Sequence, residues 1–358
     1  MNSRLIAPIS RRRSVVLGIV DQGLSSVSNF FIVIAAARLL TPVEFGAFSV
    51  MFVAYAIVLG AYQAFIGQEL VLATGSRCYL AGRAIAACRA AAATSVPISI
   101  AILIWAALDA EVRGPLIVLA ALLSVLAVHE TVRFAAALLH ATQLAVLIDA
   151  IWVVIIVVLI ALTGFGMFGT PTATLVALVW AVAGVLSLLP VLMFVPAARR
   201  LDLHIPARRI LERDYLGHRF FGEFFAVRAT SQGLTIVLGA LAGITATGAL
   251  RGVSTLIGPL TVLLSAVVAF TIPILGRFDP RVRDRWTFAL AGALALASAA
   301  LTLLLLLLPL EVGRLLLGAT WDGARPLLLP IGVQAIALSI STVSVIALRM
   351  IDPKATLA

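Results

Sequence analysis

The chain has 358 residues, of which 62% are hydrophobic and only 12% are charged. Soluble globular domains carry roughly a quarter of their residues as charged side chains, so this composition excludes a soluble enzyme and indicates an integral membrane protein. The net charge of +10 comes from basic residues dispersed over several loops. No basic face interleaved with aromatic residues occurs in the sequence, so nucleic acid is not expected as a partner.

Apolar runs of roughly 20 to 30 residues recur along the chain, which suits α-helices that cross a hydrocarbon core of about 30 Å and exceeds the length of β-barrel strands. We therefore predict an all-α polytopic membrane protein with about ten transmembrane helices. The predicted spans are residues 14–39, 45–74, 84–108, 115–141, 144–164, 172–195, 219–241, 249–275, 286–310 and 326–351.

The first predicted span contains a carboxylate within a stripe of polar residues. Asp21, Ser25, Ser28 and Asn29 share one face of a helix that turns about 100° per residue. Ionisable groups at membrane depth are costly and usually face a bundle interior or a water-filled cavity, which makes Asp21 a candidate functional residue. The alternative for the serines is that they bond their own backbone and aid close helix packing.

The fourth predicted span contains an arginine three residues after a glutamate. Arg133 and Glu130 are at i, i+3 spacing, which favours an ion pair within one helix. The alternative is that Arg133 faces a cavity and binds an anion.

Two further arginines lie inside the seventh and eighth predicted spans. Arg228 heads a polar helical face that includes Gln232, and Arg251 heads a similar face one span later. A guanidinium fork suits phosphate oxygens, so both are candidates for an anion-accepting cavity. The alternative is that they pair with Asp149 or Glu223.

The distribution of basic residues predicts orientation and organisation. With the N-terminus in the cytoplasm, 19 of the 26 Lys and Arg residues fall on the inner side and four on the outer side, as the positive-inside rule requires. The basic segment 196–218 would be a cytoplasmic linker between an N-terminal lobe of six helices, 1–195, and a C-terminal lobe of four helices, 219–358.

A shift of 202 residues sets Asp21 against Glu223 and Gly46 against Gly248. This correspondence indicates two parallel pseudo-repeated lobes of the kind found in transporters, and the alternative is chance similarity between two apolar sequences.

The sequence carries no recognisable catalytic or metal-binding motif. Cys78 and Cys88 have no nearby histidine, and the four histidines are scattered. We therefore expect neither enzymatic activity nor a metal or other cofactor.

Two stretches resemble a known family. DQGLSSVSN at 21–29 and ARLLTPVEFG at 37–46 look like the first helix and first turn of bacterial polysaccharide and O-antigen flippases, within the multidrug/oligosaccharidyl-lipid/polysaccharide exporter superfamily. HETVR at 129–133 resembles the family's Gln-Glu-x-x-Arg stretch, and GALR at 248–251 its eighth helix. Thr41 and His129 depart from the usual glycine and glutamine.

The resemblance implies a flippase of the bacterial cytoplasmic membrane that moves a lipid-linked oligosaccharide by alternating access. The implied substrate-binding residues are Arg228, Arg251, Arg133, Gln232 and Asn29, of which the three arginines would meet the pyrophosphate. The implied residues for proton or sodium coupling are Asp21, Glu223 and Glu130.

Three other functions compete with this interpretation. A multidrug antiporter of the same superfamily needs an acidic cavity for cationic drugs, and arginines inside the spans argue against it. The segment 75–83 weakly resembles a loop of major-facilitator transporters, but it lacks that family's Asp-Arg pair. A membrane-embedded glycosyltransferase or polymerase needs a catalytic acid in an outer loop.

The resemblance also implies that the second lobe is incomplete, since the family has at least twelve helices. We therefore expect either a truncated gene product or a partner chain that completes the lobe and shields its polar faces from lipid.

Overall fold

The computed structural model describes residues 11–192, 217–226, 230–275 and 280–351, and within these ranges the chain forms helices and turns with no β-strand. Eight of the described helices are long and apolar enough to cross a membrane. The prediction of an all-α polytopic membrane protein is therefore confirmed. Of the two other predicted spans, 219–241 corresponds to two helices on either side of residues 227–229, which lie outside the description, and 249–275 falls within one continuous helix.

The chain divides into two compact units, Met1–Thr247 and Gly248–Ala358. The predicted division at the basic linker 196–218 falls mostly outside the described residues, so the arrangement of six plus four helices stays a prediction. The helices of the first unit are α1 (Arg11–Leu39), α2 (Pro42–Tyr62), α3 (Gln68–Leu72), α4 (Arg77–Leu108), α5 (Arg113–Leu138), α6 (Thr142–Gly164), α7 (Ala173–Leu186), α8 (Leu189–Leu192), α9 (Gly217–Phe224) and α10 (Thr230–Ala242).

Residues with hydroxyl side chains form the N-caps of three of these helices. Thr41, Ser76 and Thr172 each have extended backbone angles and accept a hydrogen bond from the N–H three residues later, at 3.2–3.3 Å. Such caps satisfy backbone donors that have no partner inside the helix. The beginnings of α2, α4 and α7 are therefore encoded locally.

Helix α5 is central to the first unit, because it packs against α2, α4, α6 and α7. Its neighbour α4 contributes small residues to the buried core, including Ala86, Ala87, Ala90 and Ala91. Small side chains allow close approach of helices in a membrane, where apolar burial between helices adds little. The polar residues at one end of α5 are thereby fixed relative to the surrounding helices.

A π-helical turn, Gln63–Gly67, joins α2 to α3 within one membrane-spanning stretch. In this turn the N–H of Gln68 bonds to the carbonyl of Gln63, five residues earlier. The turn is called the wide turn below. Turns of this kind insert one extra residue into a helix and occur frequently at functional sites.

The second unit is built on a helical hairpin. Its helices are α11 (Ile244–Leu275, which begins in the first unit), α12 (Pro280–Leu306), α13 (Leu310–Leu317), α14 (Trp321–Ala324) and α15 (Leu328–Ile351). Ser298 of α12 and Ser339 of α15 are buried, with their hydroxyl oxygens 2.7 Å apart. Gly332 of α15 lies against Thr302, where a Cβ atom would collide. Small and hydroxyl residues therefore set the close contact between these two helices.

Candidate functional site: a buried ionic cluster

A buried polar region in the described part of the first unit surrounds the guanidinium of Arg133 on α5. Its Nη2 atom lies 2.8 Å from Asp21 Oδ2 of α1 and 3.3 Å from Asp149 Oδ2 of α6. Its Nη1 atom donates to Glu130 Oε2 at 3.0 Å, one turn earlier on the same helix. These four side chains, called the ionic cluster, connect three helices.

The ionic cluster is largely inaccessible to solvent. The exposed fraction is 3% for the Asp149 side chain, 5% for Glu130, 12% for Arg133 and 15% for Asp21. Charged groups so well buried are retained only when they are paired or functional. The ion pairs with Arg133 therefore offset part of the cost of burying these charges within an apolar bundle.

The cluster lies inside the apolar part of its helices. Glu130 is eight residues before the end of α5 and Asp149 is seven residues after the start of α6. At 1.5 Å per residue, both carboxylates are about 10 to 12 Å from those helix ends. Since the end of α5 and the start of α6 are on one side of the bundle, the cluster lies in the corresponding half of the membrane.

The charges in the cluster do not balance. Three carboxylates surround one guanidinium, so the four side chains would carry a net charge of −2 if all were ionised. Within the described part of the chain, Asp21 Oδ1 also has no hydrogen-bond partner. An uncompensated charge in an apolar interior is strongly unfavourable. The arrangement can therefore lower its energy by taking up a proton or a small cation.

Gln63 extends the cluster towards the wide turn. Its side-chain amide donates from Nε2 to Glu130 Oε1 at 2.9 Å, so both oxygens of Glu130 are bonded. Gln63 is the first residue of the wide turn. The backbone irregularity and the ionic cluster are thus directly connected.

A layer of aromatic rings borders the cluster. His129, which precedes Glu130, lies 4.5 Å from Trp152 between ring centroids, and its Nε2 is 3.0 Å from Ser187 Oγ. Trp180 contacts Trp152 at 5.9 Å and Tyr55 at 4.6 Å. His129 and Tyr55 thus link the surroundings of the cluster to a buried aromatic layer formed with Trp152 and Trp180.

The structure brings together three of the residues predicted for the site: Asp21, Glu130 and Arg133. The i, i+3 ion pair between Glu130 and Arg133 is confirmed. Asn29 is half-buried on α1, eight residues from Asp21 and hence about 12 Å further along the axis. Ser28 donates to the carbonyl of Ser25, as the structural alternative for that stripe predicts.

The other predicted site residues are not part of the ionic cluster. Glu223, which the sequence comparison aligns with Asp21, is exposed on the short helix α9. Arg228 lies outside the described residues. Gln232 lies in α10 of the first unit and Arg251 in the part of α11 that belongs to the second unit. The proposed contacts of Arg228, Gln232 and Arg251 with substrate stay predictions. The proposed role of Glu223 in coupling also stays a prediction.

Two members of the site were not assigned to it from the sequence. The sequence offers Asp149 only as a partner for Arg228 or Arg251, whereas in the structure it pairs with Arg133. Gln63 was not singled out, although it is a polar residue inside an apolar span. A polar residue in such a position is a signal that could have identified it.

No protein-family model matches this chain, and no curated protein matches it in sequence. The family resemblance therefore rests on the segments 21–29, 37–46, 129–133 and 248–251. The chain is a multi-pass α-helical membrane protein with a buried, acid-rich ionic cluster in its first unit.

Proposed function

We propose that this protein is a cation-coupled transporter that moves a lipid-linked oligosaccharide across the bacterial cytoplasmic membrane. The observation that carries the proposal is the ionic cluster of Asp21, Glu130, Arg133 and Asp149 at membrane depth. Intramembrane carboxylates of this kind mark ion pathways and proton relays in transporters.

The charge excess gives the cluster a reason to exchange cations. Three carboxylates joined to one guanidinium bind a proton or a cation most favourably when the site is closed to water, and release it when water enters. Binding therefore favours one packing of α1, α5 and α6 over another, since a ligand shifts a conformational equilibrium by its difference in affinity for the two states. Such a shift is what couples an ion gradient to alternating access.

The residues proposed for the substrate are separate from those proposed for coupling. Arg133 already faces three carboxylates, so its guanidinium is engaged and we assign it to coupling. Arg228 and Arg251 remain the proposed contacts for the pyrophosphate, on the basis of their position in polar helical faces. The choice of a lipid-linked sugar follows from the family resemblance.

The test is transport in proteoliposomes that contain an undecaprenyl-pyrophosphate-linked oligosaccharide. A proton or sodium gradient is imposed, and the fraction of sugar that becomes accessible to an external glycosidase is measured. Gradient-driven movement is expected for the unmodified chain, with at least a tenfold loss in Glu130→Gln and Asp149→Asn. Glu111→Gln, an exposed glutamate outside the cluster, is the matched control and should behave like the unmodified chain.

Two results would contradict this proposal. Movement of the sugar that is independent of any gradient would show that transport is not coupled to a cation. Full activity of both cluster variants would show that these residues are not needed for transport. Loss of movement in Arg228→Ala, at normal protein abundance, is expected if that arginine contacts phosphate.

A multidrug antiporter of the same superfamily is the second candidate, and one observation favours it. The described ionic cluster has more acidic than basic groups, which suits the binding of an organic cation. The same proteoliposomes distinguish the two functions, because an antiporter would exchange a fluorescent cationic dye for protons and leave the lipid-linked sugar in place.

A further inference from the structure

The wide turn has the ionic cluster on one side and helix α9 on the other. At its start the N–H of Gln63 bonds to the carbonyls of Leu59 and Gly60, and at its end the N–H of Gln68 bonds to the carbonyl of Gln63. The hydrogen-bond pattern therefore changes from the α-helical to the wider spacing at Gln63 itself.

The side towards the cluster consists of two contacts with α5. The Gln63 amide donates to Glu130 Oε1 at 2.9 Å. Gly67, at the other end of the turn, lies against the ring of Phe134, where a Cβ atom would collide. Phe134 follows Arg133 directly in the chain. Movements of these α5 side chains therefore reach both ends of the wide turn.

The side towards α9 consists of aromatic contacts. Phe65, in the middle of the turn, lies 5.1 Å from His218 and 5.9 Å from Phe221 between ring centroids. The ring of Phe224 occupies the space beside Gly60, just before the turn. Helix α9 thus packs on the wide turn and on the adjoining end of α2.

We propose that the wide turn transmits the charge state of the ionic cluster to α9, and that Gln63 is the positioning residue for this transmission. When Glu130 is a carboxylate, the Gln63 amide donates to a charged acceptor, and this bond stabilises the π-helical conformation of the wide turn. When Glu130 is protonated, that bond becomes a weaker one between neutral groups. The inference rests on the proposed coupling role of the cluster.

The geometric consequence of losing the wide turn is large. Conversion to a regular α-helix takes the extra residue into the helical repeat, which rotates the following segment by about 100° and moves it by about 1.5 Å along the axis. Phe65 would then no longer face His218 and Phe221. Helix α9 would lose its ring contacts with the turn and keep only the contact of Phe224 with Gly60, so its position relative to the following segment changes.

The charged and titratable groups that face Glu130 come from four elements. They are Arg133 on its own helix, Asp21 on α1, Asp149 on α6 and Tyr55 on α2. Other titratable groups on the surrounding helices have contacts of their own: Glu69 pairs with Arg83, Tyr62 bonds to Thr94, His129 bonds to Ser187 and Glu44 bonds to the N–H of Ala173.

The experiment measures the separation of α9 from the helix that follows the wide turn. Nitroxide labels are placed at Gln68→Cys and Arg219→Cys, which are both exposed, in full-length protein in lipid nanodiscs with Cys78 and Cys88 replaced by serine. Dipolar broadening of the spectrum is recorded without substrate as the pH is varied. Broadening is expected at high pH and should decrease as the pH falls.

Two variants test whether this pH dependence passes through Gln63. Glu130→Gln removes the titrating carboxyl and Gln63→Leu removes the amide while keeping a side chain of similar size, and both should abolish the pH dependence. A label pair at Arg314→Cys and Asp322→Cys, two exposed neighbours in the second unit, is the control and should not respond to pH.

The inference is overturned if the broadening does not depend on pH in the unmodified background, or if Gln63→Leu retains that dependence. The readout needs no transport, so it separates this inference from the proposed function. Gradient-driven transport without a change in broadening would leave the coupling intact and exclude the wide turn. Broadening that depends on pH in a protein that transports nothing would support transmission through the wide turn and contradict the proposed function.

Discussion

Removal of the Arg133 side chain should strongly destabilise the first unit. Arg133→Ala would leave three buried carboxylates facing one another, and breaking a buried ion pair from one side costs about 3–5 kcal/mol. We expect a clear decrease in the thermal unfolding temperature in detergent and reduced abundance in the membrane. Asp21→Asn should cost less, because Glu130 and Asp149 still pair with the guanidinium.

Arg314 provides the matched control for this prediction. It pairs with Asp322 at 3.1 Å, but both side chains are more than half exposed. Exposed ion pairs contribute about 0–1 kcal/mol. Arg314→Ala should therefore leave the unfolding temperature nearly unchanged, and equal losses for the two arginines would contradict the special role of the cluster.

At the residue scale, local contacts were predictable and distant ones were not. The spacing of Glu130 and Arg133 predicts their ion pair, because one helical turn brings the two side chains together. The contact of Arg133 with Asp149 depends on how α5 packs against α6. The spacing of residues along the sequence does not predict this packing. Gln63 was missed for the same reason, since its partner is on another helix.

At the scale of elements, one carboxylate connects two helices. Glu44 Oε2, near the start of α2, accepts the backbone N–H of Ala173 at 2.5 Å. Ala173 is the first residue of α7, whose N–H has no partner inside its own helix. A carboxylate at a helix N-terminus is also stabilised by the helix dipole.

We predict that Glu44→Ala destabilises the start of α7 by about 1–2 kcal/mol, because a buried N–H loses its acceptor. Hydrogen exchange followed by mass spectrometry should show faster exchange in the first turn of α7. Glu44→Gln keeps an acceptor oxygen and should have a smaller effect. Unchanged exchange in Glu44→Ala would show that water or another group replaces the carboxylate.

The extent of the spans was predictable, whereas their internal irregularities were not. The predicted span 45–74 matches the stretch Pro42–Leu72 in the structure, and the predicted span 326–351 matches α15. Apolar length determines how much chain crosses a membrane. It does not report the hydrogen-bond spacing inside the helix, so the wide turn was not predicted.

At the scale of the whole molecule, the two units differ in how they use polar residues. The described part of the first unit buries four charged side chains in one cluster between three helices. The described hairpin of the second unit is joined instead by a pair of serines and a glycine. Asp21 belongs to this cluster, whereas Glu223, its counterpart in the predicted repeat, is exposed on α9.

The orientation of the molecule decides which face of the membrane lies nearer to the ionic cluster. The distribution of basic residues predicts a cytoplasmic N-terminus, and α5 and α6 would then meet on the cytoplasmic side. The exposed Cys78 at the start of α4 would lie on that side, next to Arg77 and Arg83. Glu111, between α4 and α5, would lie on the outer side.

We predict that a membrane-impermeant maleimide fails to label Cys78 in right-side-out membrane vesicles and labels it after permeabilisation, in a background with Cys88→Ser. The matched protein with Cys78→Ser, Cys88→Ser and Glu111→Cys should be labelled in intact vesicles, because its thiol is exposed on the outer surface. The reverse pattern would invert the topology, and the ionic cluster, about 10 to 12 Å from the junction of α5 and α6, would then lie nearer to the outer face of the membrane.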